Sequence, residues 1–260
     1  MEQLRSEVAF ERALARFDYK KWVLKGGYAV RLMLPVSRAT QDLDLVLQEQ
    51  SLKDLEPQKR ALRIQQAVEA ELSKDARDHF HFEVRQAIPI GDLEPENLAA
   101  IVLINAKIGG EEFCKIRIDV GVTDQERLPG EHVAGRDLLA FAGVENPDIV
   151  TTAKEEIFAD KLLAYAGQGE NGMRWRDLVD MQLLIAKGLD DKKLFMAMQA
   201  VEEREEHSYP TELQFPPRHW AKEYGETASK CQLPTGLEEA FAHLKEFAHP
   251  VLERFREHRS

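Results

Sequence analysis

The chain of 260 residues is 43% hydrophobic and 31% charged, a length that allows one large domain or two small ones at roughly 100–200 residues each. Its 46 acidic side chains outnumber its 35 basic ones and leave a net charge of −11. This excludes a protein coated with positive charge, so any nucleic-acid contact has to come from a local patch. No apolar run of about 18 residues suggests a membrane span, and two widely separated cysteines with a charged N-terminus indicate a reduced cytoplasmic protein.

The first half of the chain predicts a mixture of helices and strands. Residues 2–17 repeat apolar side chains near a period of 3.6, which is typical of an amphipathic helix. A short apolar strand beginning at Trp22 then ends in Gly26-Gly27 and leads into a second helix, which Pro35 terminates. The patterns that follow predict a strand at 42–48, a helix at 57–73, and strands at 79–88, 98–108 and 112–122.

The second half of the chain predicts helices only. Apolar periodicity and a proline-rich break place them at 153–167, 174–187, 191–205, 217–229 and 236–257. Strands followed by helices predict an α+β fold. We expect a mixed sheet with flanking helices in residues 1–145 and a C-terminal helical bundle in residues 146–260.

The most informative segment runs from Lys25 to Leu45. Gly26-Gly27 lets the backbone approach a phosphate closely, and the start of the following helix offers free N–H groups. Asp42 and Asp44 are two residues apart on the predicted strand, so both side chains project from one face. Because two carboxylates that close repel each other unless a cation lies between them, a Mg²⁺ ion that also binds substrate phosphates is the natural occupant.

Each part of this segment also has an ordinary structural explanation. A Gly-Gly pair alone is more often a turn, and two aspartates on a strand are more often a solvated face than a metal site. The combination is much rarer than its parts, and it resembles the signature of the nucleotidyltransferase superfamily, Gly-Gly or Gly-Ser followed by Asp-x-Asp. More narrowly, it is similar to the first motifs of the AbiEii-type toxin nucleotidyltransferases, which include MenT-like toxins. The residues that carry this similarity are Gly26, Gly27, Arg38, Thr40, Asp42 and Asp44.

The resemblance implies a third carboxylate on a later strand, and Asp119 is the candidate. Alternation places Lys115, Arg117 and Asp119 on one face of the predicted strand. In a two-metal site Asp119 would bind the second ion and help to deprotonate the attacking hydroxyl. The alternative is a plain charged strand face, on which Asp119 simply lies beside two cations.

A second block of motif residues lies in the helical half. Lys161 is predicted at the edge of an apolar helix face, from which a lysine either extends to solvent or reaches into a cleft and neutralises a triphosphate. The AbiEii-type family has a lysine on a helix followed by Arg-Asp-x-x-Asp, and the chain matches this signature at Lys161, Arg176, Asp177 and Asp180. A helix-surface pair between Arg176 and Asp180 is the structural alternative.

The two blocks together resemble a nucleotidyltransferase-type sheet joined to a helical region. The resemblance implies Mg²⁺-dependent transfer of a nucleoside monophosphate from an NTP to an acceptor such as the tRNA 3′ end. It also implies a toxin of a bacterial toxin–antitoxin or phage-defence system, with a cognate antitoxin. The implied metal ligands are Asp42, Asp44 and Asp119, and the implied catalytic residues are these three with Lys161 and Asp177. The implied nucleotide-binding residues are Gly26, Gly27, Arg38, Thr40, Lys161, Arg176 and Asp180.

Two alternatives stay open from the sequence. The same fold could transfer a nucleotide to a small molecule or a protein side chain, in which case incorporation would be unaffected by RNase. The chain could also be a catalytically silent module that binds a nucleotide or an antitoxin, and its growth arrest would then survive Asp42→Ala combined with Asp44→Ala. The filled carboxylate positions and Lys161 favour an enzyme, whereas the acidic net charge argues mildly against a large RNA interface.

Overall fold

A computed structural model of the chain describes residues 2–91, 98–123, 129–167 and 173–258. These residues form a mixed α+β fold, which confirms the predicted class. The elements, in chain order, are α1 (Glu2–Leu14), β1 (Trp22–Lys25), α2 (Gly26–Met33), β2 (Leu43–Gln48), α3 (Pro57–Leu72), β3 (Phe80–Pro89), β4 (Leu98–Ile108), β5 (Glu111–Thr123), β6 (Glu131–Ala134), β7 (Asp148–Thr151), α4 (Lys154–Ala166), α5 (Trp175–Lys187), α6 (Asp191–Glu205), α7 (Ala221–Lys230) and α8 (Leu237–Glu257).

The strands of the described residues form one seven-stranded mixed sheet. Their order is β3-β4-β5-β2-β1-β7-β6, with β1 antiparallel to β2, and with β2 parallel to β5. Helix α1 packs against β5, and α3 packs against β3 and β4. Alternate side chains of the long strands are fully buried, including Val102, Ile118 and Val120, because period-2 alternation turns every second residue toward the core. The intervening residues of β5 include the exposed Lys115 and Arg117.

The largest difference from the sequence-based prediction lies between residues 130 and 150. The sequence indicated only a boundary there, but Glu131–Ala134 and Asp148–Thr151 are strands that pair with each other. β7 also runs parallel to β1, with Leu24 opposite Thr151. Each of these strands has only four residues, so neither is long enough to display a clear alternating pattern.

The chain divides into two compact units. The sheet unit comprises Met1–Met33 and Ala39–Thr152, and the helical unit comprises Leu34–Arg38 and Ala153–Ser260. In the helical unit α4 packs against α5 and α6, and α5 also packs against α7 and α8. The segment Leu34–Arg38 therefore belongs to the helical unit although it interrupts the sequence of the sheet unit. Within the described ranges, none of the helices combines the length and the apolar character that a membrane span requires.

Candidate active site

The backbone of Gly26 lies directly against the carboxylate of Asp44. β1 ends at Lys25 and α2 begins at Gly26, while β2 runs beside β1 so that Lys25 pairs with Asp44. Gly26 has a φ of +69°, and a Cβ atom added to it would lie 1.9 Å from Asp44 Oδ2. Glycine is therefore required for its left-handed conformation and also because no side-chain atom fits. The glycine that the sequence marks for phosphate approach also makes room for Asp44, the second carboxylate of the Asp-x-Asp motif.

Asp44 and Asp119 lie side by side on neighbouring strands. β2 and β5 are parallel, and Asp44 is the register partner of Asp119. Register partners on adjacent strands turn their side chains to the same face, and the flanking Leu43 and Leu45 are fully buried on the other face. Asp42 precedes β2 by one residue, and all three aspartates are partly buried. The structure thus brings Asp119, the candidate third carboxylate, next to the Asp-x-Asp motif.

The nearest charge to Asp119 belongs to Arg117. Its Nε donates to Asp119 Oδ1 at 2.5 Å and its Nη2 donates to Asp119 Oδ2 at 2.7 Å, so both carboxylate oxygens are bound by one planar guanidinium. The hydrogen bond to Asp119, together with the charges of Asp119, Asp42 and Asp44, raises the pKa of Arg117. The guanidinium therefore lies within electrostatic reach of all three acidic residues.

The three carboxylates fit a divalent cation in their chemistry but do not form a ready metal cage. Among the described residues, no group of three or more His, Cys, Asp or Glu side chains is arranged to hold a metal ion. Carboxylate oxygens are nonetheless the ligands that Mg²⁺ prefers. One of these carboxylates, that of Asp119, already pairs with a positive group, the guanidinium of Arg117. Asp42, Asp44 and Asp119 thus have the donor chemistry for a hard cation, and one of them binds a cationic side chain.

Thr40 carries a buried hydroxyl group close in sequence to the Asp-x-Asp motif. The residue is 8% exposed, and its Oγ1 makes no hydrogen bond within the part of the chain that the structure describes. A buried hydroxyl without a partner costs about 1–3 kcal/mol. An oxygen of a bound ligand would satisfy this group.

In the helical unit Lys161 binds two carboxylates. Its Nζ lies 2.6 Å from Asp177 Oδ1 and 2.9 Å from Asp180 Oδ2, and the three residues are buried. Burial alone would lower the pKa of Lys161, but the charges of Asp177 and Asp180 outweigh it and raise that pKa. Burial alone would raise the pKa of Asp177, but the charges of Lys161 and Arg174 outweigh it and lower that pKa. Lys161 is therefore a fixed cation and not a proton acceptor at neutral pH.

Two arginines complete this cluster, which we call the Lys161 cluster (Arg38, Lys161, Arg174, Asp177 and Asp180). Arg38 binds Asp180 through Nε at 2.9 Å and Nη2 at 2.8 Å, and Arg174 Nη1 lies 3.3 Å from Asp177 Oδ2. The cluster as defined thus joins three cationic side chains to two carboxylates.

Arg176 takes a different position from the rest of its motif. It is exposed and lies over the ring of Trp175, with 5.1 Å from its Cζ atom to the ring centroid. Asp180 has its ion pairs with Lys161 and Arg38 instead, so the helix-surface pair that the sequence left open between Arg176 and Asp180 is not the arrangement found. Arg176 therefore presents its charge to solvent.

Comparison with known proteins identifies the family. The profile of the family described as "Nucleotidyl transferase AbiEii toxin, Type IV TA system" matches residues 10–249. The chain belongs to the AbiEii nucleotidyltransferase toxin family. The matched range contains every motif residue described above, so the enzyme is a nucleotidyltransferase of a family assigned to type IV toxin–antitoxin systems.

Two solved structures align with most of the chain. MenT4, a nucleotidyltransferase toxin from Mycobacterium tuberculosis H37Rv, aligns with a TM-score of 0.59 at 16% identity, covering 95% of this chain and 82% of MenT4. JHP933 from Helicobacter pylori aligns with a TM-score of 0.49 at 14% identity, covering 99% and 94% of the two chains. No curated protein matches the sequence significantly. At this low identity the likeness to MenT4 establishes the nucleotidyltransferase fold and nothing finer.

The sequence of this AbiEii-family member did not predict two contacts of motif aspartates, those of Arg117 with Asp119 and of Arg174 with Asp177. Arg117 was predicted on the same strand face as Asp119, but only as part of a charged surface. Its bidentate contact with Asp119 depends on side-chain rotamers, which a sequence pattern does not specify. Arg174 was placed at the start of its helix without a partner. The available signal for both was a cation close to a motif aspartate on the same face, two residues away on a strand or three residues away on a helix.

Proposed function

We propose that this AbiEii-family enzyme transfers a nucleoside monophosphate from an NTP to an acceptor such as the tRNA 3′ end, in a Mg²⁺-dependent reaction. The observation that carries the proposal is the Asp44–Asp119 register pair beside Gly26. The acceptor hydroxyl attacks the α-phosphorus in line, a new P–O bond forms, and the bond to pyrophosphate breaks. Positioning and charge neutralisation provide most of the rate in such a displacement.

The residues of the sheet unit are proposed to bind the triphosphate and the metal. Gly26 and Gly27 begin α2, whose first N–H groups have no partner within the helix and suit phosphate oxygens. Asp42, Asp44 and Asp119 are the proposed ligands of Mg²⁺, which when bound neutralises charge on the phosphates. The buried hydroxyl of Thr40 supports a role in contacting a ligand oxygen.

Asp119 is also proposed to take the proton of the acceptor hydroxyl. A carboxylate accepts a proton through a free lone pair, and Arg117 binds both oxygens of Asp119. This role therefore requires Arg117 to withdraw from at least one oxygen during the reaction.

The Lys161 cluster is proposed to offset negative charge on the nucleotide. The charge of the Lys161 amine supports this role, since the raised pKa keeps it protonated at neutral pH. Asp177 and Asp180 would hold the amine in place. Arg38 and Arg176 are proposed as further contacts of the nucleotide, and the exposure of Arg176 supports its availability.

The biological role that we propose is that of a toxin whose partner is a cognate antitoxin and whose activity arrests growth, in a toxin–antitoxin or phage-defence setting. Membership of a type IV toxin family supports this role. With a net charge of −11, binding of a tRNA acceptor requires a local cationic patch on the protein.

The test is incorporation of each of the four α-³²P-labelled NTPs in the presence of Mg²⁺ and total cellular RNA. The wild type is compared with Asp44→Asn and with Asp148→Asn, which alters an exposed aspartate on β7. We expect label from one NTP in a tRNA-sized band with the wild type and with Asp148→Asn, and none with Asp44→Asn.

Other outcomes would redirect or reject the proposal. Label that resists RNase and migrates with protein or small molecules would replace tRNA by one of those acceptors. An enzyme that incorporates no nucleotide into RNA, protein or small molecules would contradict the proposed reaction, and growth arrest by Asp42→Ala combined with Asp44→Ala would favour a silent binding module.

A further inference from the structure

Arg117 binds Asp119, one of the three proposed metal ligands. Its guanidinium binds both oxygens of Asp119 and lies within electrostatic reach of Asp42 and Asp44. It reaches this position from the same strand, two residues before Asp119, because alternation places both side chains on one face of β5. A guanidinium that binds both oxygens leaves the carboxylate with reduced capacity to bind a second cation.

The pair is poised to open. The side chain of Arg117 is 44% exposed, whereas that of Asp119 is 14% exposed. A partly solvated arginine can rotate into water at little cost, since an exposed ion pair contributes little to stability. The largely buried carboxylate, in contrast, stays where the register of β5 against β2 holds it.

We propose that Arg117 is a built-in counter-ion of this site, which holds the Asp119 carboxylate in the metal-free protein and which a divalent cation must displace in order to bind. The inference rests on the proposed function, because it takes Asp44 and Asp119 as metal ligands. It adds that metal loading competes with an ion pair inside the protein, so that Arg117 sets the concentration at which the site fills.

Competition predicts that removing Arg117 strengthens metal binding. In the full chain without nucleotide, Mn²⁺ affinity is measured by electron paramagnetic resonance of the free ion. We expect Arg117→Gln to bind Mn²⁺ roughly 3- to 10-fold more tightly than the wild type, which is the range expected for loss of a partly exposed two-pronged ion pair. Arg117→Lys keeps the charge but loses the planar fork, so we expect a smaller gain.

Lys115→Gln is the matched control. Lys115 is an exposed cation on the same face of β5, two residues further from Asp119, so its removal changes the general field without breaking the Arg117–Asp119 contact. We expect less than a twofold change. At about 0.5 M KCl the Debye length falls to about 4 Å, so any effect of Lys115 should disappear while that of Arg117 persists.

A direct readout is the ¹⁵N resonance of the Arg117 Nε–Hε group, assigned by its loss in Arg117→Lys. We expect Mg²⁺ to shift this resonance in the wild type, because the ion breaks the hydrogen bond to Asp119. Two results would overturn the role of Arg117. One is Mn²⁺ binding by Arg117→Gln that is equal to or weaker than that of the wild type. The other is an Arg117 Nε resonance that does not shift at saturating Mg²⁺. Failure of the proposed metal site itself is seen separately, as undiminished Mn²⁺ binding by Asp44→Asn.

Discussion

Gly26 and Asp44 share a space that only one side chain can occupy. A Cβ atom at Gly26 would lie 1.9 Å from Asp44 Oδ2 and 2.6 Å from Asp44 Cγ, which is far inside van der Waals contact. Any residue other than glycine must therefore push the carboxylate away from the turn. The glycine of the first motif and the second aspartate of the Asp-x-Asp motif are physically coupled, and a change in one should disturb the other.

We predict that Gly26→Ala lowers nucleotide incorporation by about 100-fold or more, since displacing a reacting group by about 1 Å can cost that much. The control is Gly143→Ala, because Gly143 has nearly the same φ of +70° but nothing within 4 Å of its added Cβ. Both variants bear the left-handed strain of about 1–2 kcal/mol. Urea unfolding measures this shared loss, and equal activity of the two variants would contradict the coupling to Asp44.

Lys161 should be essential to the stability of the helical unit. Lys161→Met removes the cation between two buried carboxylates, and breaking a buried pair by removing one partner costs about 3–5 kcal/mol. Arg38 and Arg174 remain beside Asp180 and Asp177, so we expect the lower end of this range in urea unfolding. Lys187→Met, at an exposed position of α5, should stay within about 0.5 kcal/mol of the wild type. If Lys161→Met also lost no more than about 0.5 kcal/mol of unfolding free energy, the ion pairs of Lys161 would contribute little to stability.

Arg38 should couple energetically to Asp180. The side chains of Arg38 and Asp180 are 11% and 0% exposed, and hydrogen bonds to charged groups are worth about 1.5–3 kcal/mol. We expect a double-mutant cycle of Arg38→Gln and Asp180→Asn to give a coupling energy in this range.

The control for this cycle pairs Arg176→Gln with Asp180→Asn, because Arg176 is exposed and lies over Trp175. We expect a coupling below about 0.5 kcal/mol. An Arg38→Gln variant of wild-type stability, with only a raised KM for the NTP, would assign Arg38 to nucleotide binding alone.

Stability should depend on pH through Asp177 and Lys161 with opposite signs. The pKa of Asp177 is lowered from 3.8, so its contribution is present above pH 3.8 and is lost as the pH falls through the lower value of the folded state. The pKa of Lys161 is raised from 10.5, so its contribution is present below pH 10.5 and is lost only as the pH rises through the higher folded value. The cluster should therefore stabilise the fold fully between about pH 4 and pH 10.5.

The acid side of this window can be measured by urea unfolding from pH 2.5 to 6. We expect Asp177→Asn to reduce the slope of the unfolding free energy below pH 4, by at most about 1.4 kcal/mol per pH unit. Lys187→Met, which removes no carboxylate and lies at an exposed position of α5, should keep the wild-type slope below pH 4. Parallel curves for Asp177→Asn and the wild type would contradict the lowered pKa.

The sequence predicted the elements well because long apolar patterns have distinct periods. The strand 98–108 and the helix 191–205 were predicted with the bounds that the structure has. β6 and β7 were missed because four residues carry too little pattern. Their place in the sheet comes from the pairing of β7 with β1 and of β6 with β7. The prediction therefore failed where tertiary pairing, and not local periodicity, decides the structure.

The candidate site was predictable motif by motif but not in its contacts. Alternation gives the face of Asp119, but only the parallel pairing of β5 with β2 makes Asp44 its neighbour. In the same way, a helical motif marks Lys161, Asp177 and Asp180, whereas the contact of Arg38 with Asp180 joins residues 142 positions apart. Local sequence patterns cannot predict a contact between residues so far apart in the chain.

The membership of Leu34–Arg38 in the helical unit has a consequence for how such enzymes can diversify. The two units are interleaved along the gene, so a single crossover after Thr152 would supply a foreign helical half while leaving Arg38 from the original parent. Asp180 of the foreign half would then meet an arginine that it did not evolve with. Shuffling among relatives should succeed only when the short internal segment is exchanged together with the C-terminal half.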